Sequence, residues 1–269
     1  MPAGITNCDD PSEADVVILG ANYDRTSSFG KGADKGPSET ISVLNRQIEF
    51  FEKYTETYPG DNLKISYVDM GNLNSMMPED MVDYVTKNFD SHLSKGKFVT
   101  MLGGEHSLSN APFLALSKMH NPKDVTIFQI DAHLDMRDTD EDYNDKPWGK
   151  YAHSAVMRRG AELGFPTVQV GIRAYAKEEM DFARKHGSKV FEWGNGKDSS
   201  LKDIIASIPT GKVYVTIDID GIDPSHMPGT GTPVQGGLDW HFTMNLLQQV
   251  FQKKDVVGFD IVEIAPKQG

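Results

Sequence analysis

The chain has one cysteine, Cys8, in 269 residues. A lone thiol excludes an internal disulfide framework and a cysteine-based zinc site, and it fits a reducing compartment. No apolar run approaches the roughly 20 residues of a membrane-spanning helix. Met1 to Asp10 lacks a basic region followed by an apolar core, so no secretory signal is expected. Positive charge is also scarce: 27 Lys and Arg stand against 39 Asp and Glu, for a net charge of −12. That balance repels nucleic acid and anionic membrane and suits a small cationic partner better. These absences leave a cytoplasmic chain, expected to be complete at its N-terminus. Its 38% hydrophobic residues are enough for one large core.

Apolar, β-branched runs recur at Asp15 to Gly20, Lys64 to Asp69, Lys97 to Leu102, Val125 to Ile130, Thr167 to Ile172, Lys189 to Trp193, Lys212 to Ile217 and Val256 to Ile261. Continuous rather than alternating runs predict strands covered on both faces. Helical spacing or good helix formers occupy Pro37 to Glu52, Pro78 to Lys95, Leu108 to His120, Ser154 to Leu163, Lys177 to His186, Ser200 to Ile208 and Leu238 to Lys253. This alternation predicts an α/β fold with a mostly parallel sheet between helical layers. In such sheets ligands bind outside the carboxyl ends of the strands.

The residues with metal-binding chemistry fall at those ends. Asp131-Ala132-His133-Leu134-Asp135 follows the run ending at Ile130, and an extended backbone would place Asp131, His133 and Asp135 on one face. Two carboxylates and an imidazole at the end of a buried strand cost several kcal/mol per charge unless a cation sits among them, on the order expected for buried ions. Asp218 and Asp220 repeat the pattern after Lys212 to Ile217, and His106 follows Gly103-Gly104-Glu105. Four carboxylates and two imidazoles form an oxygen-rich set that suits a pair of manganese ions better than structural zinc, and the reaction class is metal-assisted hydrolysis. Asp138 to Asp145 lacks apolar periodicity and reads as a solvated acidic loop, with Trp148 and Tyr151 tethering its far end. His153 reads equally as a proton carrier or as a helix-entry residue. The Pro- and Gly-rich stretch Met227 to Gly237 is expected to shape the site, and it lacks the lysine and spacing of a phosphate-binding P-loop.

Gly103-Gly104-Glu105-His106-Ser107, Asp131-Ala132-His133-Leu134-Asp135 and Asp218-Ile219-Asp220-Gly221-Ile222-Asp223-Pro224 resemble the three signatures of the arginase and agmatinase (ureohydrolase) family. Gln169 to Arg173, Pro228 to Pro233 and Gly258 to Glu263 extend the resemblance. It implies a three-layer α/β/α sandwich with an eight-stranded parallel sheet and a binuclear manganese centre, two Mn2+ per chain. It also implies hydrolysis of a guanidinium group to urea and an amine. One metal would be held by His106, Asp131, Asp135 and Asp218, and the other by His133, Asp131, Asp218 and Asp220. Glu263 would bind the guanidinium, Asp135 would carry a proton to the leaving amine, and His153 would be the proton shuttle.

The chain departs from the family in two places. His153 is followed by Ser154-Ala155 where the family often shows Gly-Thr or Gly-Gln, and Gly269 comes shortly after Glu263. The expectation is therefore a single domain over residues 1–269 that lacks the family's closing C-terminal segment, assembling as a trimer or hexamer. Met136-Arg137-Asp138-Thr139-Asp140 lacks the polar pattern with which arginases meet an amino acid, so agmatine is the expected substrate. Other guanidino compounds (guanidinobutyrate, guanidinopropionate, guanidine, arginine, formiminoglutamate) or a metal-binding, non-catalytic role are the alternatives.

Overall fold

The computed structural model describes residues 4–46, 51–143, 145–194, 196 and 198–266. In chain order it contains β1 (Val16–Asn22), α1 (Gly36–Arg46), the short α2 (Pro59–Asn62), β2 (Ile65–Asn72), α3 (Pro78–Leu93), β3 (Phe98–Gly103), α4 (Asn110–Met119), β4 (Val125–Ile130) and α5 (Val156–Glu162). There follow β5 (Thr167–Ile172), α6 (Lys177–His186), β6 (Lys189–Glu192), α7 (Leu201–Ser207), β7 (Lys212–Asp218), α8 (Trp240–Lys253) and β8 (Asp255–Val262). The eight strands form one sheet in the order β2-β1-β3-β8-β7-β4-β5-β6, and every neighbouring pair is parallel. All eight expected strands are present. The helix expected from Pro37 to Glu52 is described as far as Arg46; residues 47–50 lie outside the described residues, and Glu52 pairs with Thr57 in an antiparallel bridge. The polar stretch forming α2 carries no apolar period that would have announced it.

The continuous apolar runs are explained by burial on both faces of the sheet. In β4, Val125 and Ile127 join a cluster with Met81, Val85 and Phe89 of α3 and Phe113 of α4, while Phe128 and Ile130 face the other way toward Leu246 and Val250 of α8. Each such side chain contributes about 1.5–3 kcal/mol on burial. That exceeds the few tenths of a kcal/mol typical of local propensity, so docking fixes these helices more than their own sequence does. Helix α1 covers the far end of the second face through Ile41 against Ile18 and Ile65. The result is a three-layer α/β/α sandwich with its strand ends free at one edge.

That edge is closely built. A Cβ on Gly104 would stand 1.8 Å from the Tyr23 carbonyl oxygen, so the loop after β3 can lie against β1 only with glycine there. Gly104→Ala is expected to cost about 1–3 kcal/mol, the usual penalty of overpacking, and to lower Tm by several degrees. A thermal melt within a degree of wild type would contradict the close approach.

Candidate metal centre and active site

Strands β3, β8, β7 and β4 lie side by side at the centre of the sheet, where the strand order passes from the first part of the chain to the later part. His106 follows β3, Glu263 follows β8, Asp218 closes β7 and Asp131 follows β4. Four adjacent strand ends therefore deliver four functional side chains to one crevice, the position at which such sheets bind ligands.

His106 is fully buried, and its Nδ1 lies 3.1 Å from Asp131 Oδ2, 3.0 Å from Asp135 Oδ2 and 3.5 Å from Asp218 Oδ2. Its other nitrogen, Nε2, is 2.9 Å from Thr216 Oγ1, and that hydroxyl donates its own proton to Asp260 Oδ1 at 2.7 Å. Thr216 therefore accepts from Nε2–H, which leaves Nδ1 as the nitrogen available to a metal. Nδ1 is buried and has no hydrogen-bond partner. A buried imidazole nitrogen surrounded by three carboxylate oxygens matches the needs of a divalent cation, which would replace the proton there. His106, Asp131 and Asp135 bring one donor atom each within 4.8 Å of one another, and so do Asp131, His133 and Asp220. Asp131 is common to both triads. Asp218 belongs to neither, and its Oδ2 stands 3.5 Å from His106 Nδ1.

The electrostatics point the same way. Burial, then the Asp131 charge, pushes Asp135 up to about 7. Burial and the charges of Asp220 and Asp131 hold Asp218 well above the ordinary carboxylate range. Burial works against the charged form of both imidazoles, yet Asp131, Asp135 and Asp218 around His106, and Asp220 and Asp131 around His133, raise them well above the usual value. A cluster that draws protons this strongly lacks positive charge, which two divalent ions would supply.

The ligand carboxylates are held from behind. Gln129 Nε2 donates to Asp131 Oδ2 at 2.6 Å, and Gln129 Oε1 accepts from Gln169. Both glutamines sit inside strands read as apolar, and only the tertiary pairing of β4 with β5 shows their purpose. Asp220 accepts from the Ala132 N–H at 3.0 Å and from Thr232 Oγ1 at 3.1 Å. Arg173 donates to the carbonyls of Gly171, Asp220, Gly221 and Val234, and so fastens the loop after β7 to the Pro- and Gly-rich loop.

Two expectations about backbone shape are corrected. Asp135 does not share an extended face with Asp131; it adopts the left-handed conformation, with φ 52°. Its carbonyl accepts the N–H groups of Met157 and Arg158 at the start of α5, which holds the turn against its intrinsic cost. Asp220 lies in a 3₁₀ turn, Ile219–Gly221, rather than in a continuation of β7, and its N–H donates to Asp218 Oδ1. Glu263 is also left-handed, with φ 63°, its N–H bonded to the Gly104 carbonyl at 2.7 Å.

A cavity of about 490 Å³ opens above these groups. Of the expected residues, His133, Asp135, Asp218 and His153 line it, while His106, Asp131, Asp220 and Glu263 do not. Glu263 is buried and accepts the His106 N–H at 2.9 Å. Burial, then the charge of Glu105, pushes its pKa well above the ordinary range. Asp140, Glu141, Asp142 and Glu179 add carboxylates to the wall, and Arg137 is the cation among the lining residues. Arg137 is engaged with Glu141 at 3.4 Å and with Glu179 at 3.7 Å. Sequence reasoning missed Glu179, whose carboxylate accepts from the Met136 and Ala176 N–H groups.

The acidic loop is not uniformly solvated. Asn144 lies outside the described residues. Trp148 packs at a tilt against Tyr143 with ring centres 4.7 Å apart, and Tyr151 packs against the core, as the tether required. Asp140, however, is only 4% exposed. The Ser154 hydroxyl and the Asp142 N–H satisfy its carboxylate, which is what permits its burial. His153 opens a 3₁₀ turn, His153–Ala155, that leads into α5. Burial depresses its imidazole to about 4 against the opposing charge of Asp140, so the ring is neutral near pH 7.

Comparison with known proteins agrees with this geometry. A family model described as "Arginase family" matches residues 14–269. The chain is 36% identical over 264 residues to an N(1)-aminopropylagmatine ureohydrolase of Synechocystis sp., covering 96% of this chain and 84% of that protein. It is 33% identical over 259 residues to an agmatinase of Bacillus subtilis, covering 94% and 84%. The solved agmatine ureohydrolase of Thermoplasma volcanium superposes with a TM-score of 0.85 at 28% identity, over all of this chain and 88% of the other.

Proposed function

Because the chain belongs to the arginase family and is a hydrolase of guanidino C–N bonds, we propose that it converts agmatine to urea and putrescine with two manganese ions. His106, Asp131, Asp135 and Asp218 would hold one ion, and His133, Asp131, Asp218 and Asp220 the other. When bound, the metal pair supplies Lewis acidity and makes water a competent nucleophile near neutral pH. The observation that carries the reading is the pair of imidazole and carboxylate triads sharing Asp131 beneath an acidic cavity.

The protein's own groups account for the rest. Glu263 is a buried carboxylate starved of positive charge, able to accept two parallel N–H bonds from a guanidinium. Water adds to the guanidinium carbon, the bond to the alkylamine breaks, and Asp135 passes a proton to the departing nitrogen. His153, neutral and at the cavity wall, exchanges protons with solvent. Arginine would bring an α-carboxylate to a wall of Glu141, Asp142 and Glu179, where the lining arginine is already paired. Burying that carboxylate unpaired costs roughly 1–3 kcal/mol or more.

The same carboxylates favour a second reading, N(1)-aminopropylagmatine, because they outnumber what one terminal ammonium can use. Catalytic efficiencies for urea release should place agmatine or its aminopropyl derivative at least about tenfold above arginine and 4-guanidinobutyrate, consistent with that desolvation cost. The order of the two amines decides between the readings. Arginine or 4-guanidinobutyrate ranking first would overturn the substrate assignment and leave the hydrolase standing.

A further inference from the structure

Among the carboxylates of the acidic loop, Asp140 stands apart. Its neighbours Asp138 and Glu141 have side chains 75% and 81% exposed, whereas Asp140 is turned inward and buried. Four contacts fix it. Its N–H donates to the Gly149 carbonyl, its carbonyl accepts from the Tyr143 N–H, Oδ1 accepts from the Asp142 N–H at 2.9 Å, and Oδ2 accepts from Ser154 Oγ at 2.5 Å. That same Oδ2 lies 3.9 Å from His153 Nε2, a buried nitrogen with no hydrogen-bond partner. The backbone of His153 is pinned from the opposite side: its N–H donates to Thr26 Oγ1 at 3.1 Å, and that hydroxyl donates to the buried Glu105. At 3.9 Å the pair is beyond a hydrogen bond, and with the backbone held it is rotation of the ring that would close it.

We propose that Asp140 is a positioning residue for His153, kept in place by Ser154, and that it orients the imidazole through which the cavity exchanges protons with solvent. The proposal rests on the ureohydrolase reading above. An imidazole that takes up a proton in a buried setting becomes a buried cation, and a carboxylate facing Nε2 offsets that cost and selects one ring orientation. Ser154 supplies the hydroxyl that anchors Oδ2. Two other roles are open to Asp140. It lines the cavity, so it could grip a substrate ammonium, or it could serve only to fasten the loop.

A double-mutant cycle separates these roles. Steady-state kinetics of urea release from agmatine and from N(1)-aminopropylagmatine, with manganese content measured for every variant, would be compared for wild type, Asp140→Asn, His153→Ala and the double variant. Asp140→Asn should lower kcat by about tenfold, a fraction of the loss from removing a general acid–base group, with KM within twofold and metal content unchanged. In the His153→Ala background the same substitution should change nothing further, because Asp140 acts only through the ring. Ser154→Ala, which keeps the carboxylate and serves if Asp140→Asn does not fold, should cause a smaller loss of kcat that also vanishes without His153. Ser154→Thr, which keeps the hydroxyl, should retain wild-type turnover. Additive losses, or a raised KM with kcat intact, would overturn the proposal. A wild-type protein that releases no urea from either compound would overturn the ureohydrolase reading, and the proposal with it.

Discussion

Replacing Glu263 by Gln is expected to lower kcat/KM by about 30- to 4,000-fold, the equivalent of the roughly 2–5 kcal/mol lost when one partner of a desolvated charge pair is removed. Metal content should not change. The substitution keeps the volume and an oxygen that can accept the His106 N–H, and it removes only the charge. Glu263 sits buried among like charges, with Glu105 and Asp220 both pushing its pKa up, so the neutral variant should be as stable as wild type or more so. Thermal melting and metal analysis therefore discriminate. A variant that loses turnover together with manganese or stability would show a structural role, and unchanged catalytic efficiency would remove Glu263 from the reaction.

Asp131→Asn is expected to empty both metal sites at once. Asp131 alone belongs to both triads, and its two oxygens face different imidazoles, Oδ2 toward His106 and Oδ1 toward His133. The amide keeps the size of the side chain but presents an N–H₂ to one of the two ions, so one site is repelled and the shared charge is lost to both. Manganese retained after dialysis should fall from two equivalents to well below one, with turnover reduced by more than about 100-fold, at least the loss seen when only outer partners of a metal ligand are removed. Asp220→Asn touches one triad and should spare the other site. Equal loss of metal in the two variants would contradict the assignment of Asp131, with Asp218, as a shared ligand.

The sheet was legible because its strands are covered on both faces. Burial on two sides leaves continuous runs such as Val125–Ile130 and Thr167–Ile172, whose bounds are those of β4 and β5. The place of the ligands was legible for a topological reason, since parallel strands gather their carboxyl ends at one edge. The local geometry was not. Period-two alternation was extended through Asp135 and Asp220, yet the chain leaves the strand conformation at both. What bends it, the α5 N–H groups on the Asp135 carbonyl and the Asp218 side chain on the Asp220 N–H, comes partly from residues distant in sequence. Gln129, Gln169 and Asp260 interrupt apolar strands without a local signal, because each serves a partner on another strand. Asp140 was read with its exposed neighbours, since composition cannot tell which carboxylate of an acidic run turns inward to a serine fourteen positions on. Glu52, which the helical spacing includes, is drawn instead into a bridge with Thr57.

The central claim is that this chain hydrolyses a guanidinium group with a metal pair built on Asp131. The direct measurement is urea release from agmatine by chelator-stripped protein during stepwise addition of manganese, with bound metal counted at each step. Turnover should be absent from the stripped protein and should rise to a plateau at two equivalents per chain, as expected for a two-metal hydrolase. Full turnover at one equivalent or none, or two bound equivalents with no urea from any guanidino compound, would contradict it.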